Sequence, residues 1–222
     1  MYEFRFEVVT RNLPFLLNGL YWTFQLTWMS VVGALVVGLI AALIRLSGIP
    51  VLSQLTRLYI DFFRATPLLI QLIWIYYALP LFIGVSFSAW FSTVLTLWLN
   101  MGAFLGEIFR AGIQSIDRGQ REAAFVLGMN YRQTMREIIL PQAFARMLPP
   151  IGSSLIILLK DSALASFIAV PELTYQAHVL QASTFRPIEI LTAVAIIYFM
   201  LNYPLTLLVD WAERRSGIKE RH

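Results

Sequence analysis

Apolar residues along the chain fall into five long runs separated by polar intervals, each close to the length that crosses a bilayer, for which a helix needs about 20 mostly apolar residues. The runs extend from Leu20 to Ile44, from about Tyr59 to Ile83, from Phe87 to Phe109, from Leu148 to Val170 and from Ile188 to Val209. The pattern predicts an all-α membrane protein with five transmembrane helices in one domain covering residues 1–222. Gly33 and Gly38 in the first run are five apart, a weak match to a helix-packing face. The second run opens with Asp61 and Arg64, whose i,i+3 spacing permits a salt bridge near a gate. Asn100 lies near the middle of the third, Lys160-Asp161 interrupts the fourth, and the fifth contains Asn202 and Pro204.

The longest polar interval, about 115–141, has its own periodicity. Ser115 and Asp117 are N-cap residue types, Ala123, Ala124 and Leu127 continue a helical stripe, and Gly128 can take the positive φ that ends a helix. A second short helix is expected to carry Tyr131, Met135, Ile138 and Ile139 on one face and Arg132 and Arg136 on the other, until Pro141 breaks it. The apolar face of such a helix pair must be buried against something.

Composition agrees with the spans: 58% of the 222 residues are hydrophobic and 14% charged, and the mean hydropathy is +0.68. The first 14 residues mix acidic and basic side chains and no small-residue cleavage site follows, so the first span is expected to act as the insertion signal. Loop charge sets the orientation, because lysine and arginine are retained on the cytoplasmic side. Thirteen of the seventeen basic residues, from Arg45 to Arg64, Arg110 to Arg146 and Arg214 to Arg221, fall on one side. Arg5, Arg11 and Arg186 fall on the other, which puts the N-terminus outside and the C-terminus in the cytoplasm. The net charge of +4 is thereby a topology signal and not a nucleic-acid patch. With no cysteine and only His178 and His222, no metal site is expected, and no nucleophile–base constellation points to an enzyme. Five spans cannot divide into the equal inverted halves of many secondary transporters, and the chain is small for a complete substrate pathway, so half of a dimer is expected.

Glu122-Ala123-Ala124, Gly128, Ile138 and Leu140-Pro141 stand at the spacing of the EAA signature, and the stretch resembles that of ABC importer permeases. The blocks at Asp61–Leu69, Glu107–Ser115, Lys160–Leu164 and Val170–Leu173 are similar to the polar amino acid permeases within that group, those for cystine, glutamine and acidic or basic amino acids. The chain departs from their pattern at Ser153-Ser154, Ala163 and Ala65, which leaves the amino acid open. The resemblance implies a type I ABC importer permease (MetI-like) fold with a cytoplasmic coupling helix, in a multi-pass subunit of the bacterial inner membrane. It implies as partners an identical or homologous permease, two ATP-binding-cassette subunits and an extracytoplasmic amino acid-binding protein, with membrane lipid around the spans. Glu122, Ala123, Ala124, Gly128, Arg132, Leu140 and Pro141 would belong to the coupling surface. The chain has no GxxxxGK[ST] motif, so it would need no cofactor of its own, ATP and Mg being bound by the partner ATPase. A stand-alone channel or secondary carrier is the alternative, and it leaves the EAA spacing without a reason.

Four residues are candidates for contact with substrate. An ionisable group at membrane depth costs about 2.5–3.5 kcal/mol or more, and Lys160 and Asp161, adjacent on a helix, point about 100° apart and cannot pair face to face. The carboxylate of a zwitterionic amino acid would suit Lys160, and its ammonium Asp161; structural ion pairs with other spans, for instance with Glu107, are the other reading. Glu107 could equally pair with Arg110 at i,i+3, or contribute to the substrate pocket as this position does in some relatives. Asn100 suits either a helix–helix hydrogen bond or a ligand carboxylate.

Overall fold

The computed structural model describes residues 3–215, and the described residues form helices and connections with no strand. A short helix α1 (Glu7–Arg11) precedes the long α2 (Leu13–Leu46); α3 (Pro50–Ala65), α4 (Leu68–Ile73) and α5 (Leu79–Ile83) lead to α6 (Ala89–Gln114). Beyond it come α7 (Arg118–Val126), α8 (Tyr131–Gln133), α9 (Leu140–Asp161), α10 (Leu173–Thr184) and α11 (Pro187–Arg215). Among the described residues, four helical stretches are long and apolar enough to span a bilayer: α2, α6, the run Tyr131–Ile168, and α11. A fifth crossing is a broken one, in which α3 and the stretch Leu68–Ile83 meet at 109°.

The break replaces the single helix expected from Tyr59 onward, and its cause is Thr66-Pro67. A residue before proline is pushed out of the helical region, and Thr66 is extended at φ −104°, ψ 143°. Carbonyls at the partly buried end of α3 are thereby left without helical donors. Gln71 supplies the missing donors: its Nε2 donates to Phe63 O (2.9 Å), Thr66 O (3.0 Å) and Thr66 Oγ1 (2.7 Å).

The α2 and α6 helices run parallel, as the sequence of contacts between them shows. The Trp22 and Trp90 rings lie 5.4 Å apart, Gly33 faces Trp98, Gly38 faces Leu105 and Gly106, and Ala41 faces Gly106. Trp98 crosses the bare face of Gly33 and donates its indole N–H to Met29 O at 2.9 Å. A Cβ on Gly38 would sit 2.7 Å from Leu105 Cβ and 3.0 Å from the Gly106 backbone nitrogen. The facing motif on α6 is Gly102-x-x-x-Gly106, the small-residue spacing that lets backbones approach closely and a clearer signal than the Gly33–Gly38 pair. Gly38→Val should therefore force the helices apart, since backbone cannot yield as a side-chain tip can. Overpacking of this kind costs about 1–3 kcal/mol, or roughly 2–4 °C of melting temperature per kcal/mol for a chain of this size. Thermal unfolding of the purified variant in detergent checks it; a melting temperature equal to the parent's would refute the close-packing account.

The α9 helix returns antiparallel to α6. Gly112 faces Met147 at one end, and Leu158 joins Met101 and Leu105 in one cluster nearer the other. Pro141 does not end the second helix of the polar interval. A π-helical turn over Thr134–Ile139 runs directly into α9, with Pro141 in its first turn, so helix continues from Tyr131 to Ile168. The wide turn shifts the hydrogen-bond register at the point where proline has no N–H to give. The same arrangement recurs at Trp74–Ala78, immediately before Leu79-Pro80.

At the opposite end from this turn, α10 lies across the start of α2: Gly19 backs onto Leu173 and Gln176, and Leu173 N donates to Thr23 Oγ1 at 3.1 Å. Glu172, fully buried, caps α10 by accepting from Tyr175 N (2.7 Å) and Thr174 N (2.9 Å), and Tyr198 Oη donates to it at 3.3 Å. Burial pushes its carboxyl up to about 7 despite those donors.

Candidate functional site

The turn between α7 and α8 is built almost wholly from local hydrogen bonds. Asp117 caps α7 by accepting from Gly119 N at 2.6 Å; Ser115 instead closes α6 as its C-cap, so only one of the two expected N-caps is used. The α7 helix ends in a Schellman motif: Gly128 N donates to Phe125 O (3.0 Å) and Met129 N to Ala124 O (3.0 Å), with Gly128 at φ +76°. Two residues on, Asn130 and Gln133 form a capping box, Gln133 N donating to Asn130 Oδ1 (3.0 Å) and Asn130 N to Gln133 Oε1 (2.9 Å). The spacing from Ala124 to Gly128 is thus the spacing from the C3 to the C′ position of one helix end.

Burial divides the residues of this stretch into two sets. Ala124 is fully buried in a helix that packs on the π turn, while Met135, Ile138 and Ile139 join Ile116, Ala143 and Met147 in a cluster under it. Glu122, Ala123, Gly128, Arg132, Leu140 and Pro141 are exposed. Tyr131, expected on the buried stripe, is instead 77% exposed, beside Phe125 (82%), Val126 (84%) and Leu127 (78%). Four large apolar side chains therefore stand on a rigid turn in a connection between spans. An apolar patch held out in this way marks an interaction surface.

The four candidate substrate residues fall at three separate places. Asn100, buried in α6, donates its amide to Phe63 O (3.0 Å) and Gln71 Oε1 (3.0 Å), which ties α6 to the break between α3 and α4. Asn100→Ala removes both bonds and leaves the Gln71 carbonyl bare, which should lower stability by about 1–3 kcal/mol. Unfolding measured beside uptake checks this: a variant as stable as the parent but dead in uptake would move Asn100 from scaffold to ligand. Sequence reading missed Gln71, whose signal was a lone amide in the run from Leu68 to Tyr77, four residues after Pro67.

Glu107 is gripped by Arg110, whose Nε lies 3.1 Å from both carboxylate oxygens and whose Nη2 also donates to it. Its neighbours across a cleft are Arg45, Arg57, Asp61 and Arg64, not Lys160 or Asp161. Asp61 pairs with Arg57 at 3.5 Å, one helical turn earlier, and not with Arg64. The Arg64 guanidinium instead lies 5.4 Å over the Phe104 ring, because α6 crosses α3 on that side.

Lys160 and Asp161 occupy the last turn of α9, where the α-helix tightens into a 3₁₀ segment, Ser162–Ile168. Lys160 is exposed, Asp161 partly so, and neither forms an ion pair among the described residues. His178 is exposed on α10, no cluster of His, Asp and Glu among the described residues has metal-binding geometry, and Lys219, Arg221 and His222 lie outside the described residues.

Comparison with known proteins gives this arrangement its context. Residues 34–217 match the family described as Binding-protein-dependent transport system inner membrane component. The glutamine transport system permease protein GlnP of Escherichia coli (strain K12) is 36% identical over 217 residues, covering 97% of this chain and 99% of that protein. The arginine transport system permease protein ArtQ of Bacillus subtilis (strain 168) is 34% identical over 210 residues, covering 95% and 96%. A chain of a solved amino acid ABC transporter, crystallised with histidines, superposes with a TM-score of 0.91 at 38% identity, over 96% of this chain and all of that one. A chain of the MetNI methionine transporter, at 20% identity and a TM-score of 0.74 over 93% and 98%, shares the fold. The chain belongs to the family of binding-protein-dependent transport system inner membrane components, and among them to the amino-acid ABC transporter permeases.

Proposed function

We propose that this permease forms one half of the membrane pathway of an importer for a polar amino acid in the bacterial inner membrane, with its N-terminus outside and its C-terminus in the cytoplasm. The observation that carries the reading is the turn bearing Phe125, Val126, Leu127 and Tyr131, a rigid apolar surface held outside the spans. A groove on an ATP-binding-cassette subunit covers it. Covering a large apolar side chain yields about 1.5–3 kcal/mol, so these four side chains can anchor a stable contact. The α7 helix, fixed to the π turn through Ala124, then passes movement of the ATPase into α9 and so to Lys160 and Asp161 at its far end. ATP and Mg stay on the ATPase, and this chain catalyses no chemical step.

The remaining partners are a second permease, identical or homologous, and a binding protein that delivers the amino acid to the outer side. Lys160 and Asp161 face the substrate carboxylate and ammonium in the assembled pair, which supplies partners that the single chain does not. Asn100 supports the spans through its bonds to Phe63 and Gln71, and Glu107 is kept by Arg110 in the cleft beside α3, so neither meets the substrate. Co-reconstitution in liposomes tests the whole reading: uptake should require the ATPase, ATP and binding protein together. Uptake by the purified chain alone without ATP would favour a channel or carrier and overturn it.

A further inference from the structure

Four arginines from three elements meet near one end of the bundle. Arg45 stands in the last turn of α2, Arg57 and Arg64 on α3, and Arg110 near the end of α6, and with Asp61 and Glu107 they line a cleft of about 280 Å³. Each acid already has its own arginine: Glu107 is held by Arg110, and Asp61 lies 3.5 Å from Arg57. Arg45 and Arg64 have no ion-pair partner among the described residues. Arg45 Nη1 makes only long bonds to Ser53, 3.3 Å to the carbonyl and 3.4 Å to Oγ, while its buried Nε has no acceptor at all. Two guanidiniums with unused donors around one cavity form a site for an anion, most of all for phosphate or carboxylate, whose paired oxygens match the planar guanidinium fork.

The surroundings decide which anion. The cleft shares Arg45, Arg57 and Asp61 with a wider open groove of about 690 Å³ whose wall also includes Pro50, Leu55 and Leu58. Leu55 and Leu58 are 60% and 67% exposed and continue an apolar stripe of α3 with Val51 and Phe62. One flank of α3 is therefore cationic and the next apolar, over less than four turns. A small soluble anion would use the arginines and leave the leucines bare. A lipid uses both, and basic pockets between spans are where anionic headgroups bind. We propose that the cleft binds the phosphate headgroup of an anionic phospholipid through Arg45 and Arg64, with the first part of an acyl chain lying on Leu55 and Leu58. Bound there, the lipid bridges α2 and α3 and completes the partners of Arg45.

Native mass spectrometry of the purified full chain, titrated with phosphatidylglycerol or with phosphatidylcholine of the same acyl chains, tests this. The parent should retain phosphatidylglycerol at a concentration at least about tenfold lower than phosphatidylcholine, a difference of about 1.4 kcal/mol. Arg45→Gln with Arg64→Gln should abolish that preference, whereas Arg118→Gln with Arg121→Gln, the same change of charge at exposed positions outside the cleft, should keep it. If the double variant does not fold, Arg57→Gln and Leu58→Asn, both at exposed positions, take its place: the first should weaken the preference, the second the retention of both lipids. Equal retention of the two lipids by the parent, or a preference unchanged in all these variants, overturns the proposal. So does displacement of the lipid by glycerol phosphate at equal concentration, which would make the cleft a simple anion site, and so does loss of lipid whenever the chain dimerises, which would give the groove to a second copy.

Discussion

Phe125→Asp combined with Leu127→Asp should abolish assembly with the ATPase while leaving the membrane fold unchanged. Both side chains are about four-fifths exposed in the single chain, so their loss removes no internal packing. Each should lose about 1.5–3 kcal/mol of apolar burial at the interface, and each adds a carboxylate that must be desolvated there. The sum exceeds roughly a hundredfold in affinity, enough to separate the subunits at ordinary concentrations. Gly128→Val attacks the same contact through the backbone. A Cβ at Gly128 meets nothing within 4 Å, so any effect comes from the φ of +76° alone. A left-handed conformation costs an ordinary residue about 1–2 kcal/mol and a β-branched one more, whereas asparagine adopts it readily. ATPase activity stimulated by loaded binding protein should therefore fall strongly in Gly128→Val and little in Gly128→Asn. A Phe125/Leu127 double variant that copurifies with its ATPase as the parent does would remove the turn from the coupling path.

The contrast between what could and could not be read from the sequence has a physical basis in this turn and its neighbours. Asp117 and Gly128 were legible because their roles are satisfied within a few residues, by one helix cap and one Schellman motif. Pro141 was not, because whether a proline ends a helix depends on the turn before it, and a π turn over Thr134–Ile139 absorbs the missing donor. Thr66-Pro67 carried the ordinary signal of a helix boundary, but the surrounding hydropathy is continuous, and hydropathy decided. What makes that break tolerable is Gln71 and Asn100, 29 residues apart and joined only in three dimensions. Arg57 and Arg64 offered Asp61 two partners of similar local merit, and the choice fell to Arg57 because Phe104 on another helix engages Arg64. Hydropathy and caps are local quantities; partners chosen across a bundle are not.

The second large effect concerns Asp161, which has no cation paired to it among the described residues although it stands at the end of a spanning helix. If it receives the substrate ammonium, Asp161→Asn keeps the size and removes the charge, a charge-assisted contact worth about 1.5–3 kcal/mol. Apparent affinity for uptake should then fall roughly ten- to hundredfold, with basal ATP hydrolysis intact because the α7–α8 turn is untouched. A scaffold role predicts something else. Were Asp161 to balance Lys160 or a cation of the partner permease, the Asn variant would leave that cation unmatched in a poorly solvated place, and stability would fall. Lys160→Met added to Asp161→Asn would then restore the melting temperature without restoring uptake. Because Lys160 is exposed and Asp161 partly so in the single chain, the stability comparison must be made on the assembled transporter, where the second permease covers what it covers. A stable Asp161→Asn transporter with unchanged uptake would exclude the ligand role, and a hundredfold loss at unchanged melting temperature would exclude the scaffold one.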